Sequence, residues 1–163
     1  MVKFALGFIA CAAGLFAIYQ YAEATHRFGV VNSMNASLCT AVLNLLGFDA
    51  TCSGTSVQLA NGGMDIISEC SAIYVAILFT AGVVAFPTSA RARLLGLGLG
   101  LPIIFVINIV RLASLGAVIR YRPDLLPLFH EYLWQVFFIL VVAGLYLLWI
   151  ERFVPRARLD QPA

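Results

Sequence analysis

Three side chains in this sequence have the types needed for acyl transfer. Cys70 stands in Glu69-Cys70-Ser71-Ala72, at the mouth of a long apolar run. Arg111 lies near the far end of the next apolar run, and His130 stands just before the last one. A thiolate is the nucleophile of such a set, activated by a neighbouring base or cation. An imidazole protonates the leaving amine and then takes a proton from the acceptor. A guanidinium does not give up its proton, so Arg111 would act electrostatically, on the thiolate or on the tetrahedral oxyanion. Asn108 lies one turn before Arg111 on the same helix face, and Glu69 adjoins the thiol; both are supporting candidates.

Each residue also has a plainer role. Cysteine is often a small buried hydrophobe. An arginine near a membrane boundary can snorkel, and a histidine beside Glu131 and Trp134 suits the interface. Arg111 is the hardest to explain away, because a charge at the centre of a membrane helix costs about 2.5–3.5 kcal/mol. Cys11, mid-run among alanines, is expected to be inert. His26, Glu23 and Arg27 are read as ordinary interfacial residues.

The composition sets the environment. The 163 residues are 62% hydrophobic and only 11% charged, with a mean hydropathy of +0.96. Soluble domains run near 25% charged. An integral membrane protein follows, a single domain over residues 1–163. The net charge of +2 gives no sign of a nucleic-acid partner. The four cysteines are Cys11, Cys39, Cys52 and Cys70, with no C-x-x-C pair. No metal site is expected, since zinc ligands come in closely spaced pairs. No cofactor is expected either.

The elements that position the three residues follow from the apolar runs. Four are read as membrane helices: about 4–22, 70–87, 94–118 and 131–150. The first competes with a signal peptide, because Lys3 precedes it and Ala22-Glu23-Ala24 resembles a cleavage site; an uncleaved helix is preferred on length. Residues 23–68 form the one long mixed segment. Asn32 and Ser33 would cap an amphipathic helix over Ala36 to Leu46, with Leu38, Val42, Leu45 and Leu46 on its apolar face and Gly47 at its end. Short β-like pieces follow: Thr55 to Ala60, a turn at Asn61-Gly62-Gly63, and Met64 to Ile67. The expected fold class is an all-α integral membrane protein, four transmembrane helices under a small extracytoplasmic cap of amphipathic helix plus β-hairpin. Cys39 and Cys52 both lie in the cap, where a disulfide or two unrelated cysteines fit equally. Gly96, Gly98 and Gly100 permit close helix approach, and Pro102 is a candidate kink.

Basic residues set the orientation. Lys3, Arg91, Arg93, Arg152, Arg156 and Arg158 fall on one side, and Arg27, Arg120 and Arg122 on the other, the last two within the outer loop 119–130. Short loops rich in Lys and Arg stay cytoplasmic, so both termini are expected inside the inner membrane and the cap outside. The runs holding Cys70 and His130 then start at the outer face. Arg111, 17 residues after Leu94, has climbed about 25 Å of a core about 30 Å thick. All three reach one boundary.

With these residues in view, the chain resembles the exosortase/archaeosortase family of membrane transpeptidases. Glu69-Cys70-Ser71-Ala72, Asn108-Ile109-Val110-Arg111-Leu112 and His130 carry the likeness, in the family's order, best over Val57 to Phe153. The resemblance implies that Cys70 is the nucleophile, Arg111 the arginine and His130 the third residue. Histidine at that third position resembles exosortases more than those archaeosortases that carry arginine there. The length resembles compact forms such as exosortase H rather than eight-helix members. The family often has glycine two residues after the cysteine, where this chain has Ala72. It implies exported protein substrates with a C-terminal signal of short motif, transmembrane helix and basic cluster. These are cleaved and transferred to an acceptor beside membrane lipid. The glycine-rich start of the third run is a candidate docking groove, with helix packing the preferred reading.

Two other classes compete. A quinone-linked thiol oxidoreductase would need Cys70 to pair with Cys39 or Cys52. A non-enzymatic membrane subunit would use the polar triplet only as anchors.

Overall fold

The computed structural model describes residues 2–25 and 29–154. The expectations for His26, Arg27, Arg156 and Arg158 lie outside these. Five helices and a small sheet follow in chain order. Helices α1 (Val2–Ala24) and α2 (Gly29–Leu45) precede strands β1 (Thr51–Ser53), β2 (Ser56–Leu59) and β3 (Gly62–Asp65). A 3-10 turn, Ser68–Ser71, leads into α3 (Ile73–Ala85), then α4 (Ala90–Tyr121), a π-helical turn (Leu128–Leu133) and α5 (Trp134–Phe153).

Three helical stretches are long and apolar enough to span a bilayer: Val2–Ala24, Ala90–Tyr121 and Pro123–Phe153. The chain is a mostly helical, multi-pass membrane protein. The second expected span is shorter than the sequence suggests. α3 has 13 residues, well under the about 20 that cross the hydrocarbon core. Its apolar run is cut at one end by the 3-10 turn and at the other by Phe86-Pro87, where the backbone turns extended.

α4 is the central post. Ser89 caps it, accepting from the Ala92 amide, and the helix continues through Pro102 without a break. α3 runs against it. A Cβ on Gly100 would sit 2.3 Å from the Phe79 ring, and one on Gly96 would sit 2.4 Å from the Trp149 indole. These glycines are filled by the bundle itself. Helix packing, not an open groove, accounts for them, whereas Gly98 faces open space. Gly100→Leu is therefore expected to destabilise the protein by about 1–3 kcal/mol, through overpacking against buried Phe79, while Gly98→Leu is neutral. Thermal melts of the two variants in detergent check this.

Two cores stack along α4. Phe79, Val83, Ile104, Phe138 and Trp149 pack one among the apolar helices. Ala36, Cys39, Leu43, Val57, Ile66, Leu112 and Ile119 pack the other, joining α2 and the sheet to the last third of α4. The sheet is antiparallel, in the order β1-β2-β3. The expected hairpin is β2–β3, with Leu59 opposite Gly62. β1 is an addition, pairing Cys52 with Val57.

The cap helix departs from its expectation in two ways. It begins at Gly29, so Asn32 and Ser33 lie inside it rather than capping it. Ser33 donates back to the Gly29 carbonyl. Its apolar face is split: Leu38, Leu45 and Leu46 are open and Val42 packs on the core, while Asn32, Asn35, Ala36, Cys39, Thr40 and Leu43 are buried. The face turned to the core carries two asparagines, both of which find partners.

Candidate active site

Cys70 is presented by the 3-10 turn, not by the first turn of α3. Its amide donates to the Ile67 carbonyl. Ala72 then takes the left-handed conformation, φ 54° and ψ 19°, and α3 starts at Ile73. For an L-residue that conformation costs about 1–2 kcal/mol, and glycine adopts it freely. This gives the glycine of the resembled motif a physical meaning. Ala72→Gly is expected to keep activity and stability. Ala72→Val, β-branched at positive φ, is expected to lose at least about 1–3 kcal/mol. Membrane accumulation and melting temperature of the pair measure this.

The thiol faces the imidazole. Cys70 Sγ lies 3.9 Å from His130 Nε2, a loose contact of the kind that tightens once substrate is bound. His130 sits in the π-helical turn; such a turn widens the backbone locally and is frequent at functional sites. Arg111 lies within electrostatic reach of both Cys70 and His130. Its Cζ stands 5.7 Å from the Phe138 ring centroid, and its Nε is buried with no hydrogen-bond partner. A desolvated cation over a ring gains about 2 kcal/mol, so Phe138 holds the side chain while leaving donors unused. Trp134 Nε1 donates to Ser114 Oγ at 2.9 Å, and Ser114 donates to the Arg111 carbonyl at 2.7 Å. Those bonds tie α5 to α4 at the level of the site.

The structure brings Cys70, Arg111 and His130 together. Asn108, fully buried, supports α4 by donating to Asn35 Oδ1 at 3.2 Å. Glu69 does not join them: it is exposed and has no hydrogen bond or ion pair among the described residues. Cys39 and Cys52 form no disulfide, and all four cysteines are free thiols. Burial pushes the Cys39 thiol up to about 12, so it stays protonated at neutral pH. Cys11 is half-buried within α1.

Phe138 and Trp134 were missed by sequence reading, although His130, Trp134 and Phe138 recur at i, i+4 and i+8, the spacing of one helix face. Four more were missed around the nucleophile. Ser71 Oγ donates to Asn32 Oδ1 at 2.6 Å, Asn32 Nδ2 to Ser68 Oγ at 3.1 Å, and Ser68 to the Glu23 carboxylate at 2.8 and 2.9 Å.

A cavity of about 850 Å³ opens from the site. Arg111, His130, Glu131 and Gln135 give it a polar end. The rest is apolar, running between α1, α3 and α5 past Phe138 and Val142 to Phe4 and Tyr146. From His130 to Tyr146 is about 24 Å along the helix.

Comparison with known proteins adds the family. No curated protein and no solved structure gives a significant match. The family model described as transmembrane exosortase matches residues 2–148, nearly the whole described chain. A match that covers the described chain almost end to end makes the protein a member of the transmembrane exosortase family.

Proposed function

We propose that the protein is a cysteine transpeptidase that processes C-terminal sorting signals of exported proteins. The carrying observation is the 3.9 Å approach of Cys70 Sγ to His130 Nε2 beside Arg111, at the polar end of the trough. In this reading His130 takes the thiol proton, and the thiolate attacks the scissile carbonyl. Arg111 stabilises the oxyanion as it forms. The carbon–nitrogen bond breaks, His130 delivers its proton to the leaving amine, and an acyl thioester remains on Cys70. His130 then deprotonates the acceptor, which attacks the thioester and releases the thiolate.

The trough supports the substrate class. Its apolar walls suit the transmembrane helix of a sorting signal. Seated there, that helix would bring the short motif at its end to Arg111 and His130. The cap end is assigned to the extracytoplasmic side, because Lys3, Arg91, Arg93 and Arg152 gather at the opposite end of the bundle. The facing of Cys70 towards an imidazole favours this over thiol–disulfide exchange.

The test is direct. A reporter ending in motif, apolar helix and basic cluster is co-expressed with the protein, and the membranes are examined by mass spectrometry. A truncated reporter and a Cys70-linked acyl intermediate are expected. Intact reporter with every matched signal tried would reject the proposal.

A further inference from the structure

α2 contributes nothing to the trough and none of the three reacting groups. Its buried face nonetheless carries two amides, Asn32 and Asn35, one turn apart. Asparagine is a poor helix-interior residue, and burying it is costly unless its amide is bonded. Both are bonded, and to different parts of the site. Asn32 accepts from Ser71 and donates to Ser68, the two ends of the 3-10 turn that carries Cys70. Asn35 accepts from Asn108, one turn before Arg111 on α4. Ser68 in turn donates to Glu23, so a directed chain runs from Ser71 through Asn32 and Ser68 to a carboxylate. Bonds in such a chain polarise and reinforce one another.

We propose that Asn32 is a positioning residue for Cys70. It clips both ends of the nucleophile turn to α2, which Asn35 registers against the arginine helix. Glu23 anchors the far end of the chain. The inference rests on Cys70 being the nucleophile. It explains why a turn with a left-handed alanine and no cap of its own holds one shape. It also explains why the buried side of the cap helix carries two asparagines beside its apolar residues.

The test compares wild type, Asn32→Ala, Ser71→Ala and the double variant for cleavage of the reporter in membranes. Asn32→Ala is expected to lower kcat by about 100-fold, the cost of displacing a reacting group by about 1 Å, with KM within about twofold. The double variant is expected to fall no further than the worse single one, since both cut the same bond. A structural role alone would leave kcat intact in the protein that accumulates. Full kcat in Asn32→Ala, or additive losses in the double variant, would overturn the proposal. Should Asn32→Ala fail to accumulate, Ser71→Ala removes one bond from the other side, and its kcat decides by the same criterion. Cys70→Ala runs alongside. Cleavage by Cys70→Ala would refute the nucleophile itself; an inactive Cys70→Ala with a fully active Asn32→Ala would refute only the positioning.

Discussion

Cys70→Ala should stop reporter processing, by at least about 1,000-fold, while the protein still accumulates in the membrane. Cys70→Ser should be nearly as inert. Its hydroxyl is a far weaker acid than a thiol, and the imidazole at 3.9 Å is positioned against the larger sulfur. Cys11→Ala, Cys39→Ala and Cys52→Ala should process normally. Cys39 has its thiol held near 12 by burial and is a packing residue of the cap. Loss of function in Cys39→Ala or Cys52→Ala would instead favour disulfide chemistry. Reporter cleavage on immunoblots of membranes, normalised to enzyme level, reads all five variants.

Arg111→Ala carries the second large effect. Removing an oxyanion donor costs about 10²–10³ in kcat. The same change relieves the burial of a charge, so the variant should accumulate at least as well as wild type. That combination, better insertion with lost turnover, separates a catalytic arginine from a snorkelling anchor. Arg111→Lys should fall between. It keeps the charge but loses the planar fork and its stacking on Phe138. Full turnover in Arg111→Ala would remove the arginine from the mechanism.

What could be read from the sequence was decided by hydropathy and chain direction. The convergence of Cys70, Arg111 and His130 followed from the boundaries of the apolar runs, because depth in a bilayer is set by residue count alone. The hairpin leading into the cysteine was legible from its turn signal, although the turn itself is Ala60-Asn61 and Gly62 and Gly63 belong to β3. Lateral contacts were not legible. Periodicity puts Phe138 on the face of His130, but it does not say that Arg111 lies over its ring, or that Asn32 reaches Ser68 and Ser71. The apolar stripe of the cap helix did not say which face meets the core: in a protein near lipid such a stripe does not have to point inward, and exposed Leu38 and Leu45 show it. The second run, 70–87, is apolar over nearly a full span, but its helix is only the 13 residues after Ala72, and that shortening is a backbone feature that hydropathy does not show.

The brevity of α3 has a further effect on the lipid around it. Thirteen residues rise about 20 Å, some 10 Å less than the hydrocarbon thickness. Acyl chains beside a helix this short would meet polar backbone before they reach the headgroup plane, and hydrophobic mismatch of that kind is relieved by local thinning. The bilayer should dimple over the turn that bears the sulfur. Water and a polar scissile peptide can then descend to the nucleophile without crossing a full leaflet of tails.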